Sequence, residues 1–177
     1  GLTLPEYGRI LACHARAYAR CEAQLDQVAA ARPADLAPYR PRLPALRADL
    51  ARLPGDPAVA TGPARTLAVP AVGAPRDDRD AEGRYLGLRY VLDGATQGAR
   101  GIAPRLAEQL PELPAGPFAY WRVQLNEAGA WREVTRALAE RPADGPLADA
   151  AVAAAGEAFA TFLAALAPVA VSYTHLR

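Results

Sequence analysis

The sequence predicts an all-α fold, and three observations carry that prediction. Apolar residues recur at spacings of three and four, the period of a helix with one buried stripe. The 17 prolines fall mostly between those periodic stretches, where they punctuate loops. No segment shows the period-two alternation of a half-buried strand. A chain of 177 residues is long enough for one domain with a proper core and short for two.

The elements follow in order. Thr3-Leu-Pro-Glu6 is a capping box with proline in the first turn, so a helix starts at about residue 3. Tyr7, Leu11, His14, Tyr18, Cys21, Leu25 and Val28 form its stripe, and it ends near Ala31, before Pro33. Leu43, Leu46, Leu50 and Leu53 mark a second helix from about Pro41. Residues 54 to 79, rich in proline, glycine and small side chains, read as a long surface loop. A helix then starts near Ala81, buries Tyr85, Leu88, Val91 and Leu92, and runs to about Leu110 through Gly94, Gly98, Gly101 and Pro104. That content predicts a bend. After a loop to Pro117 and a short aromatic stretch from Phe118, a helix over residues 127–140 turns Trp131, Val134 and Leu138 inward. A last helix over 147–166 carries Val152, Phe159, Leu163 and Leu166 on its stripe.

Composition excludes some function classes. Lys+Arg 20 against Asp+Glu 19 leaves no basic excess for a nucleic-acid backbone, and every basic residue is arginine. No charge-free apolar run reaches the roughly 18 residues of a membrane span, and the residues given do not read as a signal peptide. The expected setting is therefore cytoplasmic and reducing, with no membrane partner. Cys13 and Cys21 lie about 12 Å apart along one helix at 1.5 Å per residue, too far to bridge. They read as small buried hydrophobes.

The glycines carry the functional signal. Each helical glycine costs about 1 kcal/mol relative to alanine, in a chain where alanine is the common filler. Gly94 and Gly98 are four apart and share one face, a smooth side-chain-free patch. A flat ligand or another helix fits such a patch. His14 sits on the apolar stripe of the first helix, where a satisfied core histidine is a plainer reading than an iron ligand.

Leu88 to Arg100, followed some thirty residues later by a helix with Trp131 and preceded by the Tyr7, His14, Tyr18, Glu22 helix, resembles bacterial biliverdin-producing heme oxygenases. The likeness covers roughly residues 3 to 166. Its most specific part is similar to that family's distal-helix pattern, Tyr-Val-x-Glu-Gly-Ser-x-x-Gly, with Asp93 in the acidic position and Ala95 in the serine position. The resemblance implies a heme oxygenase-like multi-helical bundle with a kinked distal helix. Gly94, Ala95, Gly98 and Tyr90 then contact heme, which is both substrate and cofactor. It also implies opening of heme to biliverdin, release of iron and carbon monoxide, and an external electron donor such as a ferredoxin or flavoprotein reductase.

Two departures from the family follow. The family's proximal histidine falls upstream of Gly1, which leaves His14 as a weak substitute candidate and no metal ligand assigned. Ala95 puts a methyl where relatives carry a group that orders distal water. The resulting expectation is one domain over residues 1–171, lacking its first helix, with a non-native tail at 172–177. Of heme propionates, one or two of Arg84, Arg89, Arg100 and Arg105 are candidate holders. The competing functions are a non-catalytic heme-binding or heme-sensing domain and a thiaminase-like hydrolase, the latter without an acidic cluster beside either cysteine.

Overall fold

The Thr3 hydroxyl accepts from the Glu6 amide at 3.4 Å while the Glu6 carboxylate accepts from the Thr3 amide at 2.8 Å, so the capping box opens the first helix as its residues dictate. The computed structural model describes residues 1–53, 73–111, 119–127 and 129–174. Its elements are α1 (Leu4–Gln27), a 3₁₀ turn (Ala29–Ala31), α2 (Leu43–Leu50), α3 (Asp78–Gly94), α4 (Thr96–Gln109), α5 (Ala119–Asn126), α6 (Ala130–Ala139) and α7 (Pro146–Thr174). No strand occurs among the described residues. The all-α bundle expected from periodicity is present.

The predicted stripe of α1 is the spine of the core: Tyr7, Leu11, Tyr18, Cys21, Leu25 and Val28 are all buried. Tyr85, Leu88, Val91 and Leu92 of α3 close onto it, as their spacing requires. Asp77 caps α3, its carboxylate accepting from the Asp80 amide at 2.8 Å. The helix therefore starts three residues before the Ala81 expected from sequence, inside the charged stretch. α3 packs most extensively on α7, and α7 also lies on α1.

Two expectations are corrected here, and one helix bears on a third. The aromatic stretch after Pro117 is itself a helix, α5, and burial of Tyr120, Trp121 and Gln124 on one side explains it. The Val152, Phe159, Leu163 stripe of α7 does not face inward; these side chains are exposed at 74%, 51% and 71%. What α7 buries is its small side, Ala150, Ala151, Ala154, Ala158, Thr161 and Ala165. The reason lies on α3. A Cβ on Gly83 would stand 2.9 Å from the Ala150 Cβ, and one on Gly87 would stand 2.9 Å from the Ala151 carbonyl carbon. The helices cross so closely that only glycine and alanine fit between them. Finally, Pro146–Ala167, with a mean hydropathy of 1.7, is long and apolar enough to cross a membrane by length and composition. The charges at Asp149 and Glu157 are the only ones it carries.

Most of the loop expected over 54–79, the loop from 112 to Pro117 and the end of the 172–177 tail, with His175, lie outside the described residues.

Candidate functional site

The long glycine-bearing helix is interrupted at Ala95, between α3 and α4. Ala95 keeps helical angles, φ −56° and ψ −24°, with its amide bonded to the Val91 carbonyl at 3.2 Å. The Thr96 hydroxyl takes the Asp93 carbonyl at 2.6 Å, a side-chain bond of the kind that bends helices. Pro104 lies inside α4 without ending it.

The glycines around the break differ in surroundings. A Cβ on Gly94 would meet the Trp131 indole, at 3.3 Å from Nε1 and 3.4 Å from Cδ1. One on Gly98 would meet only its own helix neighbour, Ile102 Cδ1, at 3.6 Å, and one on Gly101 would meet nothing within 4 Å. Gly98 and Gly101 are exposed and Gly94 is half-buried. Helix-on-helix packing therefore does not account for Gly98 or Gly101 among the described residues. They form an open, side-chain-free surface edged by Ile102, itself 44% exposed.

About 100° round the helix from Gly94, Asp93 points into the core. One carboxylate oxygen accepts from Arg89 Nε at 2.6 Å and the other from Arg42 Nη2 at 3.1 Å. Arg42 and Arg89 are 0% and 1% exposed, so every donor needs an answer. Arg89 Nη1 donates to the Tyr85 hydroxyl at 2.8 Å and to the Ala37 carbonyl at 2.9 Å. Arg42 Nε donates to Gln124 Oε1 at 3.2 Å, and Arg42 Nη1 to the Arg40 carbonyl. Gln124 Nε2 then donates to the hydroxyls of Tyr18 and Tyr120, both at 2.8 Å. The Arg42 amide donates to Glu22 Oε1 at 2.6 Å, which also accepts from the Tyr39 hydroxyl at 3.0 Å. Both guanidiniums lie over the Tyr39 ring, at 5.1 and 5.5 Å.

Two arginines and two carboxylates balance in this cluster. Burial pushes the Asp93 carboxyl up, and Arg89 and then Arg42 draw it back. Burial likewise raises Glu22, against the Arg42 amide and the Tyr39 hydroxyl. Such a hydrogen-bonded network in a low dielectric fixes its members rigidly. It holds the last turn of α3 and so the direction in which the open glycines face.

The remaining sequence candidates are placed as follows. Tyr90 is half-buried with its ring 6.2 Å from that of Trp131. Ala95 is half-buried at the break. His14 packs edge-on against Tyr120 at 5.8 Å and Phe162 at 6.3 Å, and burial lowers its pKa to about 4. It is neutral, and its Nδ1 is buried with no partner among the described residues, so the satisfied core histidine expected from sequence is packed but not hydrogen-bonded to them at that atom. Cys13 and Cys21 are buried thiols, the latter raised by burial to about 11, which removes the thiolate a hydrolase nucleophile needs. Among the described residues no group of three His, Cys, Asp or Glu side chains could hold a metal ion. Arg84 pairs with Asp80 at 2.8 Å and Arg89 with Asp93, which leaves Arg100 and Arg105 as the exposed members of the arginine set.

Sequence reasoning missed Arg42, Gln124 and Tyr39. One signal was available for their partners: Arg89 and Asp93 stand four and eight residues after Tyr85, on its buried face.

The chain is 31% identical over 161 residues to a heme oxygenase from Xanthomonas campestris pv. campestris (strain 8004), an alignment covering 91% of this chain and 88% of that protein. No protein-family model matches the chain. No solved structure matches it.

Proposed function

The chain belongs to the heme oxygenase family, and from that premise we propose that it opens heme to biliverdin, with release of iron and carbon monoxide and with electrons from an external donor such as a ferredoxin or a flavoprotein reductase. The observation that carries the reading is the open surface of Gly98 and Gly101, which no side chain among the described residues fills. A flat apolar ring needs such a surface, and a single Cβ would stand in the space it occupies. The surroundings fit the same ligand: Ile102 and Trp131 edge the glycines with apolar area. Heme, when bound, supplies the iron at which dioxygen reacts.

The residues of the chain then have separable roles. Gly98 and Gly101 admit the ring. Arg89 and Arg42 hold Asp93, in the last turn of α3 just before the helix that carries Gly98 and Gly101. Ala95 supplies no hydroxyl, so ordered water near the break would depend on main-chain carbonyls. His14, neutral and set between Tyr120 and Phe162, serves the core; replacing it with alanine should leave the hemin spectrum unchanged.

The test is turnover of hemin with ferredoxin, its reductase and NADPH, followed by loss of the Soret band and growth of biliverdin absorbance. Gly98→Leu should reduce turnover by about tenfold or more, the equivalent of roughly 1.4 kcal/mol at the transition state. Hemin affinity should fall less, because ring burial elsewhere sustains it. Equal turnover in Gly98→Leu would remove the glycine surface from the mechanism. Tight hemin binding without ring opening would instead identify a heme-binding domain that does no chemistry.

A further inference from the structure

The glycine face is not uniform, and its asymmetry points to a determinant of specificity. At the Gly94 end it is shut by the pyrrole edge of the Trp131 indole, 3.3 Å from where a Gly94 Cβ would stand. Further along the axis, at about 6 and 10.5 Å at 1.5 Å per residue, Gly98 and Gly101 meet no other element among the described residues. Among the described residues the other end has no matching stop, since Ile102 there is an aliphatic side chain 44% exposed.

Trp131 is also firmly held. It is the second residue of α6, whose Val134 and Ala137 are buried at 0% and 1% exposure, and α6 packs against α3. Tyr90 backs the indole at 6.2 Å with the rings tilted by 48°. The indole N–H makes no hydrogen bond among the described residues, so this edge is available to whatever lies along the glycines.

We propose that Trp131 sets how far a porphyrin can advance along the Gly94 to Gly101 face and so selects which edge of the ring is presented for opening; this rests on the heme oxygenase reading. A ring pressed on Gly98 and Gly101 reaches the indole edge and stops there. Removing the indole uncovers Gly94 and lengthens the flat surface by one helical turn. The ring then settles in a second rotational position, and a different ring edge takes the place of the first. Trp131 acts through position and takes no part in the bond changes.

The experiment compares the wild-type chain with Trp131→Ala, Trp131→Leu and Trp131→Phe. Hemin affinity is measured by Soret titration, ring orientation by the paramagnetic shifts of the heme methyl protons, and biliverdin isomers by chromatography. Trp131→Ala should weaken hemin binding, because it removes one apolar edge while the open glycines remain, and should give a second set of methyl resonances and a changed isomer ratio. Trp131→Phe should keep the wild-type pattern, since its ring still reaches Gly94. Trp131→Leu, which retains apolar packing but lacks the indole edge, carries the same test if the alanine variant fails to fold. A single, unchanged methyl pattern and isomer ratio in both the alanine and leucine variants would overturn the proposal and leave the heme reading standing. Absence of a hemin complex in the wild-type chain would overturn both.

Discussion

Gly83 and Gly87 on α3 and Gly98 and Gly101 on α4 occupy one nearly continuous helical stretch, and their surroundings are opposite. The first pair lies against α7, with Ala150 and Ala151 where any Cβ would go. The second pair faces no other element among the described residues. Glycine in a helix thus has two distinct causes in one chain, a main chain that must approach another main chain and a surface that must stay flat for something else. Between them stands the break at Ala95, and beneath it the Asp93 cluster that anchors the closed half.

That contrast can be broken at three places. The largest effect is expected at the anchor: Asp93→Ala would leave the buried guanidiniums of Arg42 and Arg89 with Glu22 as their one remaining carboxylate in the cluster, a loss of about 3–5 kcal/mol measurable by urea unfolding. A loss below about 1 kcal/mol would mean that the closed half does not depend on this cluster. Next comes the seam. Gly87→Ala forces a methyl toward the Ala151 carbonyl and should cost about 1–3 kcal/mol, seen as a fall in Tm of roughly 2–4 °C per kcal/mol in a chain of this size. Smallest, and opposite in sign, is Gly101→Ala. Its Cβ meets nothing within 4 Å among the described residues, so helix propensity should raise the stability of the ligand-free protein by about 0.5–1 kcal/mol. A Tm that fell in Gly101→Ala as far as in Gly87→Ala would erase the distinction between the two pairs.

Much of the frame was legible in the residues. The α1 stripe is buried as its spacing requires because its members are large and apolar, and large side chains dominate periodicity. The same weighting misled at α7. There the large residues Val152, Phe159 and Leu163 face out and alanines face in, because the partner face carries Gly83 and Gly87. A small-on-small crossing leaves no hydrophobic signature in an alanine-rich chain. The glycine patch was visible as an anomaly of composition, but its division into a shut Gly94 and an open Gly98 and Gly101 depends on Trp131, a residue of another helix. Arg42 was invisible for a related reason. It stands outside the periodic stretches, among prolines, and its partners Asp93 and Gln124 are 51 and 82 positions away. Only the fold brings them together.

The α3–α7 seam has a further thermodynamic consequence. Gly83, Gly87, Ala150, Ala151, Ala154 and Ala158 have no side-chain rotamers to lose when the helices meet. The ordering entropy of this junction is therefore that of the main chain alone. The same lack of rotamers leaves it no means of repacking. A slip of α7 by one residue cannot be absorbed by a side chain turning aside, because none is there to turn. Helix register at this crossing is set by the shape of two backbones, and a misaligned pair meets an immediate steric wall in place of a graded series of alternative packings.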